Sequence, residues 1–242
     1  LTQDQRFMRA ALSLGQREMG QTWPNPAVGA VVVSPDGIIL GRGWTQKGGR
    51  PHAEPQALAQ AGNAARGATL YVTLEPCSHH GKTPPCAEAI IKAGIARVVC
   101  AADDPDPRVS GRGYAMLREA GIAVVTHVLE REANRDHIGH RRRIMLGRPY
   151  VEVKLALSHD GKMAGAYKAP VSITGEDTAW RVHLMRSQAD AIAVGIGTVL
   201  ADDPLLTCRL AGMENRSPVR VIFDRQARLP LHSRLVQTAN SI

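Results

Sequence analysis

No apolar stretch in this 242-residue sequence is long enough to cross a bilayer, which excludes a membrane-spanning helix. Aromatic residues make up only 4%, too few for a platform on which bases stack. Four cysteines are too sparse to scaffold a chain of this length with disulfides, so their spacing points to metal or redox chemistry in a reducing compartment, and with it a cytoplasmic address. There is no internal repeat, no low-complexity segment and no G-x-G-x-x-G dinucleotide fingerprint. The amino-terminal stretch does not read as a secretory signal: Phe7, Met8, Ala11 and Leu12 recur at helical spacing, but Arg6, Arg9 and Arg17 interrupt them.

What is present is a chain with 44% hydrophobic residues, ample for packed cores, and a length that suggests two domains. The formal charge of +8 suits nucleic acid, a small phosphorylated substrate or simply a soluble surface, and Arg141-Arg142-Arg143 is the densest basic run. After the first helix, residues 27–33 and 38–44 read as strands joined by the turn Ser34-Pro35-Asp36-Gly37, a hairpin. The pattern then predicts helices over 53–62, 86–93 and 113–120, strands over 69–73, 96–101 and 122–128, and a basic helix reaching Arg143. Strands alternating with helices argue an α/β layer fold. Gly147-Arg148-Pro149 breaks the pattern, which sets a boundary near Leu146 and divides the chain into residues 1–146 and 147–242. The second part is expected to open with a strand over 150–157, followed by a helix over 176–188 and strands over 191–195 and 219–224.

His52-Ala53-Glu54 heads one predicted helix, Pro76-Cys77 follows a buried strand, and Cys86 opens the next helix. One imidazole and two thiolates match a catalytic zinc site, which uses three protein ligands and leaves the fourth position for a water that the metal acidifies. Helix amino termini favour thiolate over thiol. Glu54, two residues beyond His52, suits a carboxylate beside the metal, where it takes a proton from water and hands it to a leaving amine. His-x-Glu followed by Pro-Cys and a second cysteine is the zinc-deaminase signature, but here eight residues, 78–85, separate the cysteines instead of two. Two blander readings stand beside it. His-Ala-Glu is a surface helix start with packed thiols nearby, or a closed structural zinc takes His79 or His80 as fourth ligand and gives Glu54 no role. Cys100 reads as a core thiol, and Cys208 has no partner at metal spacing.

Pro24-Asn25-Pro26-x-Val28-Gly29, His52-Ala53-Glu54 and the string Thr73-Leu74-Glu75-Pro76-Cys77-Ser78-His79-His80-Gly81-Lys82-Thr83-Pro84-Pro85-Cys86 resemble the deaminase half of the bifunctional riboflavin-biosynthesis deaminase/reductase family. The resemblance implies a cytidine-deaminase-like three-layer N-terminal domain that binds Zn2+. Its reaction would be hydrolytic deamination of 2,5-diamino-6-(ribosylamino)-pyrimidinone 5′-phosphate. It also implies that Asn25 holds the substrate ring, with Lys82 and the Asp104-Pro105 loop near the ribose phosphate. Asp106 stands where the family pattern has Asn.

Gly147-Arg148-Pro149, Lys154, Ser158-x-Asp160-Gly161-Lys162, Ile173-Thr174-Gly175 and the stretch Gly195-x-Gly197-Thr198-Val199-Leu200-Ala201-Asp202-Asp203-Pro204 are similar to the reductase half. That similarity implies a (partial) dihydrofolate-reductase-like α/β domain, expected to be incomplete at its carboxyl end, that uses NADPH to reduce the ribosyl group to ribityl. Ala156, Ser172, Thr198 and Asp202 would line the cofactor, while Lys154, Pro170, Arg186, Leu206 and Arg209 would face the substrate. Departures from the family pattern are His159 for an apolar residue, Pro170 for a Ser and Ser172 for a Trp. Without the resemblance, Arg186 reads as a solvated helix residue and Leu206 as core. The implied partner is a small-molecule phosphoribosyl-pyrimidine substrate, with no nucleic acid, no membrane, and a homo-oligomer expected. Rival readings are a tRNA or nucleoside deaminase, which normally keeps the short cysteine spacing, and a non-catalytic zinc-stabilised RNA-binding module that uses Arg141 to Arg143.

Overall fold

The computed structural model describes residues 1–81, 83–165 and 171–239, so Lys82 and Pro170, both singled out by the resemblance, lie outside the described residues. The chain divides into two compact units, Leu1–Val151 and Glu152–Ile242.

The first unit is built on a five-stranded sheet. Its strands are β1 (Gly29–Val33), β2 (Ile39–Trp44), β3 (Thr69–Val72), β4 (Arg97–Cys100) and β5 (Ala123–Val125), in the order β2-β1-β3-β4-β5. β1 runs antiparallel to both β2 and β3, while β3–β4 and β4–β5 are parallel. Every residue of β1 is buried, as an uninterrupted apolar run requires when both faces of a sheet are covered. The expected hairpin is present: Gly37 N–H donates to Ser34 C=O at 3.0 Å, with Gly37 at φ +81°, a conformation that favours glycine.

Glycines bring helices close on either face. A Cβ on Gly29 would meet Ala11 O of α1 (Gln3–Gly15), whereas Cβ atoms on Gly41 and Gly43 would meet Ala57 O and Ala53 O of α2 (Ala53–Ala61). Gly43 pairs with Ala30 and Gly41 with Val32, so they share the face opposite Gly29, and the two helices sandwich the sheet. α1 begins with a capping box, Thr2 to Gln5, and is tied to the sheet by Asp4, which receives Arg97 through two bonds (2.7 and 2.9 Å) and Tyr71 Oη at 2.9 Å.

α3 (Cys86–Ala93), α4 (Arg112–Glu119), α5 (Glu130–Asp136) and α6 (Ile138–Leu146) complete the unit. The expected single basic helix is two helices that meet at His137, whose buried ring is bonded to Thr73 at the end of β3 and pins the junction to the sheet. β5 is shorter than the expected 122–128, because β4 ends at Cys100, one residue past its last pair with β5.

The second unit contains α7 (Glu176–Gln188), β6 (Ala191–Gly195), α8 (Ile196–Asp202), β7 (Val219–Phe223) and α9 (Arg234–Gln237). β6 and β7 pair in parallel from Ala191–Val219 to Gly195–Phe223. Their inward residues Ile192, Val194 and Ile222 pack on Ile196, Val199, Leu206 and Leu235. The strand expected over 150–157 does not form: Val151, Val153 and Leu155 are exposed, and among the described residues no strand pairs with them. Alternating β-branched residues favour an extended backbone, but a strand needs a neighbour that supplies its hydrogen-bond ladder.

Candidate active site

Three segments of the first unit converge beside the carboxyl end of β3, where the amino end of the antiparallel β1 also lies. His52 is the residue preceding α2, Cys77 lies in the loop after β3, and Cys86 is the first residue of α3. His52 Nδ1 lies 3.4 Å from Cys86 Sγ and 3.9 Å from Cys77 Sγ, and the three ligand atoms all lie within 4.8 Å of one another. A tetrahedral zinc with Zn–S near 2.3 Å and Zn–N near 2.0 Å would set such edges at roughly 3.5–3.8 Å. The donor set therefore fits the metal.

The electrostatics agree with a cation site. The Cys86 thiol and the His52 ring, together with the Cys86 backbone N–H donating at 3.2 Å, bring Cys77 down to about 4. That backbone N–H is at the positive end of α3, which stabilises a thiolate. Cys86 is pushed the other way by the neighbouring Cys77 sulfur and by burial, so two thiolates this close call for a positive charge between them. Glu54, in the first turn of α2, is only 4% exposed, and burial followed by the charge of Cys77 raises its carboxyl to about 7.

A cavity of about 250 Å³ opens over this cluster, and Asn25, His52, Glu54, Cys77 and Asp104 all line it. Asn25 Nδ2 donates to Gly49 O at 2.8 Å and lies 3.4 Å from His52 Nε2. Asp104 accepts the Asp106 N–H at 2.9 Å and bonds His140 Nε2 at 3.1 Å. Sequence reasoning missed His140, Arg50, Arg108 and Arg143 as cavity residues. For His140 no local signal exists, since α6 delivers it from 36 residues downstream of Asp104. It also missed Glu75, whose carboxylate accepts Gly111 N–H (3.1 Å) and Gly113 N–H (3.0 Å) and so ties the loop beyond Asp104 to the residues beside Cys77. The basic run is largely engaged: Arg141 donates to Asp103 O, and Arg143 donates to Pro24 O and stacks over Trp23.

Comparison with known proteins agrees with this geometry. Residues 1–102 match the family described as cytidine and deoxycytidylate deaminase zinc-binding region, and residues 149–242 match the RibD C-terminal domain. The chain is 46% identical to riboflavin biosynthesis protein RibD of Escherichia coli (strain K12), over 97% of this chain and 67% of that protein. The chain belongs to the RibD family. It is also 47% identical to RibD of Aquifex aeolicus, over 97% of this chain and 65% of that one. The solved structure of a diaminohydroxyphosphoribosylaminopyrimidine deaminase/5-amino-6-(5-phosphoribosylamino)uracil reductase from Thermotoga maritima superposes with a TM-score of 0.88 at 44% identity, covering 94% of this chain and 64% of that one. The chain thus spans about two thirds of the length of the curated RibD relatives it matches. The fold is a cytidine-deaminase-like unit followed by a RibD C-terminal unit of dihydrofolate-reductase-like class.

In that second unit, Arg186 and Arg209 come together. Arg186 Nη1 donates to Thr207 O at 3.1 Å, Arg209 Nη1 reaches Thr207 Oγ1 at 3.5 Å, and Arg209 N–H donates to His183 Nδ1 at 3.2 Å. Burial and then the charge of Arg209 lower both Arg186 and His183, the mark of a cationic cluster without an acidic partner among them. Leu206 is buried in the apolar cluster. Thr198 and Asp202 lie one turn apart on the exposed side of α8, and Ser172 is exposed, its hydroxyl donating to Thr174 O. Lys154 and Ala156 lie on the unpaired segment after α6. Among the described residues, no hydrogen bond or ion pair joins Lys154, Ala156, Ser172, Thr198 or Asp202 to one another.

Proposed function

We propose that this chain catalyses the deamination step of riboflavin biosynthesis: hydrolytic removal of the pyrimidine amino group from 2,5-diamino-6-(ribosylamino)-pyrimidinone 5′-phosphate. The observation that carries the reading is a buried carboxylate, Glu54, beside three convergent ligand atoms at the floor of a cavity. His52, Cys77 and Cys86 would hold zinc, which when bound acts as a Lewis acid that makes water nucleophilic at neutral pH. Glu54, buried beside these ligands, is placed to act both ways: its carboxylate accepts the proton of the attacking water and delivers it to the exocyclic nitrogen, which leaves as ammonia. Asn25 and Asp104, both in the cavity wall, supply an amide and a carboxylate for the ring and ribose, and Lys82 is assigned to the phosphate by the resemblance alone. We assign this step to residues 1–146 and a second one to residues 147–242.

For the second step, reduction of the ribosyl group to ribityl, NADPH when bound supplies the hydride. Ala156, Ser172, Thr198 and Asp202 would hold it, and the exposed Thr198 hydroxyl and Asp202 carboxylate suit the hydroxyl and amide groups of a dinucleotide. Arg186 and Arg209 offer uncompensated guanidiniums to a phosphate, with Lys154, Pro170 and Leu206 completing the proposed substrate contacts. The ties of Arg141 and Arg143 to neighbouring backbone support a small-molecule partner over nucleic acid. Among the described residues no helix is long and apolar enough to cross a membrane, and a cytoplasmic homo-oligomer fits the low cysteine content and the family.

The test is Glu54→Gln. Ammonia release from the pyrimidine phosphate is expected to fall by roughly two to four orders of magnitude while one zinc per chain is retained. Full activity with zinc retained would remove Glu54 from the chemistry.

A further inference from the structure

Asp106 brings a carboxylate to a place where an anionic substrate should not tolerate one. It is 7% exposed and lines the same cavity as Glu54 and Asp104. Three guanidiniums line that cavity as well, and they are not equivalent. Arg50 donates to the hydroxyl of Thr83 and Arg143 to the carbonyl of Pro24, both neutral oxygens that leave the cationic charge uncompensated. Arg108 instead closes over Asp106. Its Nε lies 3.0 and 3.1 Å from the two carboxylate oxygens, its Nη2 reaches Oδ2 at 2.5 Å, and its own backbone N–H donates to Oδ1 at 2.9 Å.

The pair is asymmetric. The side chain of Asp106 is 10% exposed, whereas that of Arg108 is 69% exposed, so the guanidinium forms the solvent side of the carboxylate. Among the described residues no hydrogen bond engages Arg108 Nη1. These contacts keep Asp106 ionised, its carboxyl held down to about 2 by Arg108. An ionised carboxylate repels a phosphate monoester unless its charge is cancelled locally, and a guanidinium fork on its face cancels it while leaving a donor edge free.

We propose that Arg108 is a specificity-determining residue that makes the cavity selective for a phosphate-bearing substrate, by neutralising Asp106 and by turning its free Nη1 edge to the phosphate. The proposal rests on the deaminase reading for the identity of that substrate. It accounts for an ionised carboxylate in the wall of this cavity: the charge at residue 106 is answered two residues later in the same loop.

The experiment compares the full chain with Arg108→Ala, Asp106→Asn and the double variant. Two readouts are taken: steady-state deamination of the pyrimidine ribosyl phosphate and of its dephosphorylated nucleoside, and calorimetric binding of ribose 5-phosphate against ribose, which needs no turnover. Arg108→Ala is expected to raise KM for the phosphorylated substrate on the order of tenfold with kcat changed less than about twofold, and to leave the nucleoside nearly unaffected. Adding Asp106→Asn is expected to recover most of the lost affinity, because the uncancelled charge is gone. A purely structural pair would instead lower the melting temperature and weaken ribose and ribose 5-phosphate alike, which overturns the proposal. So does an unchanged preference for phosphate in Arg108→Ala, or a double variant no better than the single one. If the native chain binds ribose 5-phosphate through Arg108 but releases no ammonia, the deaminase reading fails while the phosphate assignment stands.

Discussion

His137 shows how a single side chain couples the site to pH. Its ring is buried at the junction of α5 and α6, with Nε2 3.2 Å from Thr73 Oγ1, which itself accepts the N–H of Gly29. Burial first, and then the nearby His140, pull its pKa from 6.5 down to about 4. Between these values the unfolded chain binds a proton that the folded chain does not, so stability rises with pH through the window and is lost as pH falls from 6.5 to about 4. The loss amounts to roughly 3 kcal/mol at most. Glu75 and Asp136, raised by burial, act in the opposite sense, so the comparison that isolates the histidine is with His137→Gln. Urea midpoints measured from pH 7 to 4 are expected to fall more steeply in the native chain than in the variant, and parallel slopes would remove His137 from the account.

At the scale of elements, the site depends on how closely α2 lies on β2. The carbonyls of Ala53 and Ala57 sit where Cβ atoms on Gly43 and Gly41 would be, only 2.0 Å away, so a methyl there must push the helix outward. That helix carries Glu54 and directly follows His52, and its displacement pulls one ligand away from two cysteines held by separate elements. Gly43→Ala is therefore expected to cost about 1–3 kcal/mol of stability and to weaken zinc binding as well. Gly139→Ala is the control: it sits in α6 with nothing within 4 Å of the added methyl, and should be neutral or slightly stabilising. Equal melting temperatures and equal zinc content for the two variants would show that the helix can shift without consequence. Glu75 acts at the same scale from the other side, since the backbone N–H groups of Gly111, just before α4, and of Gly113, in its first turn, converge on its carboxylate.

For the whole molecule, the consequence of two units is that metal binding belongs to one of them. His52, Cys77 and Cys86 all lie in Leu1–Val151. A ligand that binds only the folded state stabilises it by mass action, about 2.7 kcal/mol at a hundredfold excess over Kd. Chelation is thus expected to lower amide protection in β1, β3, α2 and α3, to leave β6 and β7 unchanged, and to be reversed by added zinc. Hydrogen exchange read out by mass spectrometry resolves the two units in the intact chain. Equal loss of protection in both would contradict the confinement of the metal's effect to the first unit.

The residues of the candidate metal site could be read from the chain alone, because coordination demands particular side chains and the local signals around them are strong. Apolar runs specify the strands, a glycine or proline marks their ends, and His52, Cys77 and Cys86 each stand at the border of such an element. The helices α3 and α7 and the strand β6 form over the expected residues for the same reason. Where pairing across the chain decides the outcome, local pattern failed: among the described residues, 150–157 have no neighbouring ladder, and β5 ends at Val125, opposite Val99 and one residue short of the end of β4. The cavity wall was illegible for a related reason. His140 meets Asp104, and Glu75 meets Gly111 and Gly113, only once the chain has folded, over separations of 36 to 38 residues that carry no periodicity. Ligand identity is a property of side-chain chemistry, which the sequence spells out; the company a charge keeps is a property of three-dimensional proximity, which only the packed sheet and helices determine.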